Sequence, residues 1–97
     1  MNQLFNIGFT DEEIKDILDS NPLWNELNTE NVINLLLKYF KNTELKDMIY
    51  TNPYILSRDT TDLKHTIDFL LENIDKDEII SNPTILNYNQ EEITNYN

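Results

Sequence analysis

The 97 residues carry eighteen acidic against seven basic side chains, a net charge of −11, and no cysteine. Disulfides, thiol chemistry and cysteine zinc sites are thereby excluded, the lone His65 builds no histidine-rich metal site, and a polyanion opposes nucleic acid unless its few cations gather on one face. No run approaches the roughly 20 apolar residues of a bilayer crossing, and Met1-Asn2-Gln3-Leu4-Phe5 lacks a basic signal region, so the expectation is one cytoplasmic domain, residues 1–97, with no membrane partner and stability from packing alone.

In chain order, Gly8, the only glycine, suits the end of a short N-terminal turn. Thr10-Asp11-Glu12-Glu13 is a capping box, threonine at the N-cap and glutamate three residues later, with three carboxylates at the positive end of the helix dipole. Ile14, Ile17 and Leu18 form the i, i+3, i+4 stripe of a helix that ends near Ser20, because Asn21-Pro22 cannot continue it. Leu23 and Trp24 are too few for a helix and fit one 3₁₀ turn packed into the core. Asn28, or the Thr29 after it, then caps a second helix carrying Val32, Ile33, Leu36, Leu37 and Phe40.

The pattern recurs. Asn42-Thr43 offers a cap before Leu45, Met48 and Ile49; Asn52-Pro53 ends that helix; Ile55 and Leu56 fill a turn; Asp59 caps a helix with Leu63, Ile67, Leu70 and Leu71. A third short helix starts near Asp75 to Asp77, carries Ile79 and Ile80, and ends before Asn82-Pro83; Ile85 and Leu86 follow, and after Asn89 only Ile93 continues the stripe. The Asn-Pro pairs lie 31 and 30 residues apart, with an aliphatic residue ten positions past each proline (Val32, Leu63, Ile93). A period near 30 residues marks stacked supersecondary units. The predicted fold is all-α, a short helical-repeat array of helix–3₁₀ turn–helix units, two full and one truncated, spanning about residues 8–41, 42–73 and 74–97.

Gly8-Phe9-Thr10-Asp11-Glu12-Glu13-Ile14, then Ile17-Leu18, Asn21-Pro22 and a capped second helix, resembles a repeat of the mitochondrial transcription termination factor family. Asn42-Thr43-Glu44-Leu45 through Asn52-Pro53-Tyr54-Ile55-Leu56 and Asp77-Glu78-Ile79-Ile80 through Asn82-Pro83-Thr84-Ile85-Leu86 are similar again, so the resemblance covers about residues 8–93. It implies triangular units of two α-helices and a 3₁₀ turn, and a function of binding nucleic acid along a basic groove. The charge opposes that function.

No catalytic set is visible. His65 sits on the flank of its helix without a nucleophile or base beside it, and is expected at the surface. The carboxylate clusters at Asp11–Glu13 and Asp75–Glu78 lack the turn glycine and ligand spacing of a calcium loop, so capping and solubility account for them. One glycine allows no phosphate loop, and neither cofactor nor metal is expected. Trp24 and Phe40 fit core positions. Tyr50 lies off its apolar stripe and Tyr54 follows a proline, so exposed tyrosine beside acid is the candidate binding surface: Tyr50, Tyr54, Asp59, Asp62, Asp68, Glu72, Asp75, Asp77 and Glu78.

The leading expectation is therefore a non-enzymatic acidic interaction protein for a basic partner, in its sharpest form an inhibitor that mimics nucleic acid and occupies a nucleic-acid-binding protein's basic site. The alternative is a nucleic-acid-binding regulator of the transcription-termination type, which requires Lys38, Lys41, Lys46, Arg58 and Lys64 to converge on one concave face. A third reading is a self-assembling structural repeat: the truncated third unit is expected to leave Leu63, Ile67, Leu70 and Leu71 partly uncovered, an apolar patch for a homodimer or a docked partner at the C-terminal end.

Overall fold

The computed structural model describes residues 2–20 and 25–95, and among them there are helices and 3₁₀ turns but no strand. A short helix α1 (Asn2–Asn6) ends on Gly8, whose φ of +107° is open to glycine at little cost. The Phe9 amide donates to the Leu4 carbonyl at 3.1 Å and the Gly8 amide to that of Phe5 at 3.0 Å, a Schellman closure that puts Leu4 and Phe9 into the core.

Helix α2 (Asp11–Asp19) starts on the predicted capping box: Thr10 Oγ1 accepts from the Glu13 amide at 3.2 Å, and Glu13 Oε1 from the Thr10 amide at 2.9 Å. It ends on Ser20 as expected. The Asn21-Pro22 turn with Leu23 and Trp24 lies outside the described residues. Helix α3 (Glu26–Leu36) is capped by Asn25, whose side chain accepts from the Asn28 amide, so the helix begins earlier than the expected cap at Asn28. The Asn28 side chain instead reaches the next unit, where its Nδ2 donates to the carbonyls of Leu56 and Arg58 at 3.2 and 2.9 Å.

Helix α4 (Asn42–Thr51) is capped at Lys41, one residue before the expected Asn42-Thr43. Glu44 Oε1 accepts from the Lys41 amide at 2.9 Å, and a lysine ammonium cannot supply the reciprocal acceptor, so only half of a capping box forms. Among the described residues, a first 3₁₀ turn (Pro53–Ser57) follows α4 and a second (Pro83–Asn87) follows α6 (Lys76–Ser81), as predicted. The residues before the two prolines share one backbone conformation, φ −138°, ψ 75° at Asn52 and φ −137°, ψ 69° at Asn82, outside the helical region as proline demands. Helix α5 (Thr60–Asn73) has the predicted Asp59 cap, accepting from the Thr61 and Asp62 amides at 2.8 and 3.1 Å. Helices α6 (Lys76–Ser81) and α7 (Gln90–Asn95) complete the third unit.

The units stack in columns: α4 packs on α6, α3 on α5 and α5 on α7, and one 3₁₀ turn on the other, in a body of 40 × 25 × 18 Å. Ile17, Leu36, Ile49, Ile67 and Leu70 are buried as expected, within one continuous core running from Leu4 to Leu86. Polar joints cross between units as well. Asn52 and Asn87 exchange side-chain hydrogen bonds at 2.7 and 3.1 Å, and Asn52 Nδ2 also donates to the Pro83 carbonyl.

The C-terminal end departs from expectation. Leu63 and Ile67 are wholly buried and Leu70 is 3% exposed, in one core with Leu86 and with the half-buried Ile85 and Ile93 packed against it; of the four only Leu71, at 36%, stands out. Leu71 lies one residue round from Leu70, which takes the core position. The patch expected to drive dimerisation there is thus largely sealed.

Candidate interaction surface

The tyrosines predicted at the surface are there. Tyr50 is 52% and Tyr54 53% exposed, joined by Tyr88 at 51%. Tyr50 leans on Phe9, ring centroids 6.3 Å apart, and leaves half its area to solvent. Asp59, Asp62, Glu72, Asp75, Asp77 and Glu78 are exposed.

These carboxylates fall into different grooves and roles. Asp62 lines an open groove of about 220 Å³ with His65, Asn89, Gln90 and Glu91, where α5 meets α7. Asp77 and Glu78 line another, of about 390 Å³, with Ile74, Ser81, Asn82 and Ile85, along α6 and the second 3₁₀ turn. Asp59 is the α5 cap. Asp68 belongs to a joint between units: it accepts from Tyr39 Oη at 2.9 Å and from Lys64 Nζ at 2.7 Å. The lysine's hydrogen bond, then the tyrosine's, hold the Asp68 carboxyl below its ordinary range. Burial, then the bonded carboxylate, push the Tyr39 phenol up. Asp68 is therefore a packing residue more than a docking one. His65 is exposed as predicted, and no group of three metal-ligating side chains occurs among the described residues.

The cations decide what the surface can hold, and of the seven, three are built into joints of the fold and a fourth, Lys64, is paired at the surface. Arg58 is 9% exposed. Its Nε donates to the Leu86 carbonyl at 3.0 Å, Nη1 to Asn89 Oδ1 at 2.8 Å, and Nη2 to Thr66 Oγ1 and the Tyr88 carbonyl at 3.3 and 3.2 Å. Leu86 and Tyr88 are the repeat counterparts of Leu56 and Arg58, the residues whose carbonyls Asn28 binds. A side chain from each unit thus satisfies the same two carbonyls at the end of the next unit's 3₁₀ turn. Arg58 does over one joint what Asn28 does over the other.

Lys46 and Lys76 make a second recurring joint. Lys46 Nζ lies 5.8 Å from the Phe9 ring centroid and 3.7 Å from Glu13 Oε1; Lys76 Nζ lies 5.9 Å from the Phe40 centroid and 3.8 Å from Glu44 Oε1. Phe9 and Phe40 each precede the N-cap of a first helix, and Glu13 and Glu44 each stand three residues past that cap. A lysine of one unit therefore sits over the aromatic ring and against the capping glutamate of the unit before. Lys76 also donates to the Tyr39 carbonyl at 3.2 Å. The bond from the Thr10 amide, ahead of the charge of Lys46, holds the Glu13 carboxyl below its ordinary value. The signal was in the sequence: Lys15, Lys46 and Lys76 each stand six residues before an Asn-Pro.

Lys64 is paired with Asp68, which leaves Lys15, Lys38 and Lys41 as the other exposed cations. Of the five cations a basic groove required, Arg58, Lys46 and Lys64 are engaged within the protein.

No curated protein and no solved structure matches the chain significantly. The family model of mTERF, whose repeats the three Asn-Pro units resemble, matches residues 1–95, and with helix, 3₁₀ turn and helix recurring as that resemblance implies, the chain belongs to the mTERF family.

Proposed function

We propose that this member of the mTERF family works as a non-enzymatic interaction module that offers an acidic helical surface to a basic protein partner. The observation that carries this reading is the fate of the charges. Lys46, Arg58 and Lys76 are tied into joints between units and Lys64 is paired with Asp68 at the surface, while Asp11, Glu12, Asp16, Asp19, Asp47, Asp59, Asp62, Asp77 and Glu78 face solvent. With a net charge of −11, the long-range field attracts cationic surfaces and speeds encounter with them. In the sharper form of the reading, stacked carboxylates stand in for phosphates and block a nucleic-acid-binding site.

Family membership favours a second reading, regulation of transcription termination through direct contact with nucleic acid. The two separate in one titration. A mobility-shift series with duplex DNA and structured RNA at about 150 mM salt should show no complex, since binding to a polyanion depends on phosphate contacts by free cations. A micromolar shift that weakens steeply with added salt would overturn the acidic-module reading and establish the other.

A further inference from the structure

The lysine joint occurs in two filled copies, and its carboxylate position recurs a third time with isoleucine in place of the ring. In each copy the ring comes from the residue before a first-helix N-cap, Phe9 or Phe40, and the carboxylate from the third residue past that cap, Glu13 or Glu44. In the third unit the N-cap is Asp75, the residue before it is Ile74, and the third residue past it is Glu78. Ile74 and Glu78 both line the groove of about 390 Å³, together with Asp77, Ser81, Asn82 and Ile85.

The rest of the groove is matched through the Asn-Pro pairs instead, since α6 is shorter than α4 (6 residues against 10). Asn82 and Ile85 are the repeat counterparts of Asn52 and Ile55, both buried beneath the third unit, and Asn52 binds that unit's Pro83 carbonyl and Asn87 side chain. Asn82 is exposed and Ile85 half-buried, with no described residue packed over the groove as the third unit packs over Asn52 and Ile55.

We propose that this groove is the third copy of the lysine seat, and that it takes an amphipathic helix of a basic partner protein, one lysine of which lies along Ile74 and against Glu78. The charges select that occupant. Glu78 keeps the place after the N-cap from which Glu13 and Glu44 meet their lysines, and Asp77 adds a second carboxylate to the groove, so the seat favours a cation. A second copy of this chain would bring its own α2 with Asp11, Glu12 and Asp16 exposed beside Lys15, and its net −11, against those acids. The proposal rests on the acidic-module reading and gives it a place: apolar contact from Ile74 and Ile85, direction from Asp77 and Glu78.

The test uses the full chain and a labelled peptide copied from residues 42–57, the helix and turn that carry Lys46, with its Glu44 and Asp47 changed to lysine. Fluorescence anisotropy should show saturable binding with Kd on the order of micromolar, weakening with salt. Changing the peptide's Lys46→Ala, or the chain's Glu78→Lys, should each weaken it about tenfold or more. Glu91→Lys in the chain makes the same charge change in the other groove and should cost less than about threefold. Equal losses from Glu78→Lys and Glu91→Lys would show diffuse attraction, overturning the seat while sparing the acidic-module reading. Binding of polylysine without binding of the peptide would have the same meaning. Failure of both probes would overturn the seat and the wider reading together. Sedimentation of a dimer that Glu78→Lys dissociates would show that a second copy, not a basic partner, takes the groove.

Discussion

Arg58→Ala tests whether the third unit is tied on by a polar joint or held by its apolar face alone. The guanidinium makes four hydrogen bonds, three of which reach the second 3₁₀ turn and the residues after it. A bond from a charged donor contributes roughly 1.5–3 kcal/mol net, but four at that rate would rival the roughly 5–15 kcal/mol total of a small domain. The cost of dehydrating a buried guanidinium offsets much of the sum. The Leu86 and Tyr88 carbonyls also regain water in part once the side chain is gone. We expect a loss of about 2–4 kcal/mol, the range of a broken buried network. Urea unfolding followed by far-UV dichroism measures it. Amide exchange should place it, with protection falling first around Ile79 and Leu86 and holding at Ile14 and Ile17. Arg58→Lys should recover only part, because an ammonium cannot point at four acceptors spread around a planar fork. A change of less than about 0.5 kcal/mol in Arg58→Ala would show that the apolar face alone holds the third unit, and protection lost evenly along the chain would show that the joint is not local to it.

Leu36→Ala or Ile67→Ala, each at a wholly buried site, should cost about 2–5 kcal/mol in the same urea experiment, with Leu71→Ala costing under about 1 kcal/mol because that side chain is exposed. Thr10→Ala removes the acceptor of a full capping box and should cost about 0.5–2 kcal/mol, without changing the helix content of the other units. Asp68→Asn should be destabilising at neutral pH but not in acid. The carboxyl is held below its ordinary 3.8 by Lys64 and Tyr39, so its contribution is present above that value and lost as pH falls through the lower folded-state one. Paired melts should therefore converge in acid, and a gap that widens there would contradict the assignment.

Elements set by neighbouring residues were legible in the sequence. Proline fixes its own φ and expels the residue before it from the helical region, so Asn52-Pro53 and Asn82-Pro83 announced both turns. Thr10 with Glu13 announced a helix start for the same local reason. Misplaced elements depended on contacts a repeat away. Asn28 looks like a cap, yet two carbonyls of the next unit claim its side chain, and Asn25 caps in its stead. Leu70 and Leu71 are adjacent and equally apolar; which one faces the core depends on how α5 is rolled against its neighbours, and this cannot be read at single-residue precision from a stripe. The truncated third stripe suggested an open end because sequence shows how few apolar residues a unit has, not how much area Leu86 and Ile93 cover once folded. Of the candidate surface, exposure of Tyr50 was legible from its position off the stripe and that of Tyr54 from its place directly after Pro53. The engagement of Asp68 by Tyr39, twenty-nine residues away, was not.

The joints also explain how a repeat of this family can carry so negative a charge. In a stacked array each lysine has two conceivable duties, toward a ligand or toward the unit before it. Lys46 and Lys76 are placed for the second, since each stands on the helix face that meets the preceding capping glutamate and ring. That placement follows from the fold's own period and persists however the outer surface changes. Acidic substitution outside the joints, at positions such as Asp47 or Glu91, leaves these contacts intact and costs little stability beyond mutual repulsion, which salt screens. Acidic substitution at a joint would set a carboxylate against Glu13 or Glu44 beside a ring face that repels anions. Lys46, Arg58 and Lys76 thus mark the interfaces between units, while Lys15, Lys38, Lys41 and Lys64 stand outside the joints and are the cations whose loss would leave the stacking intact.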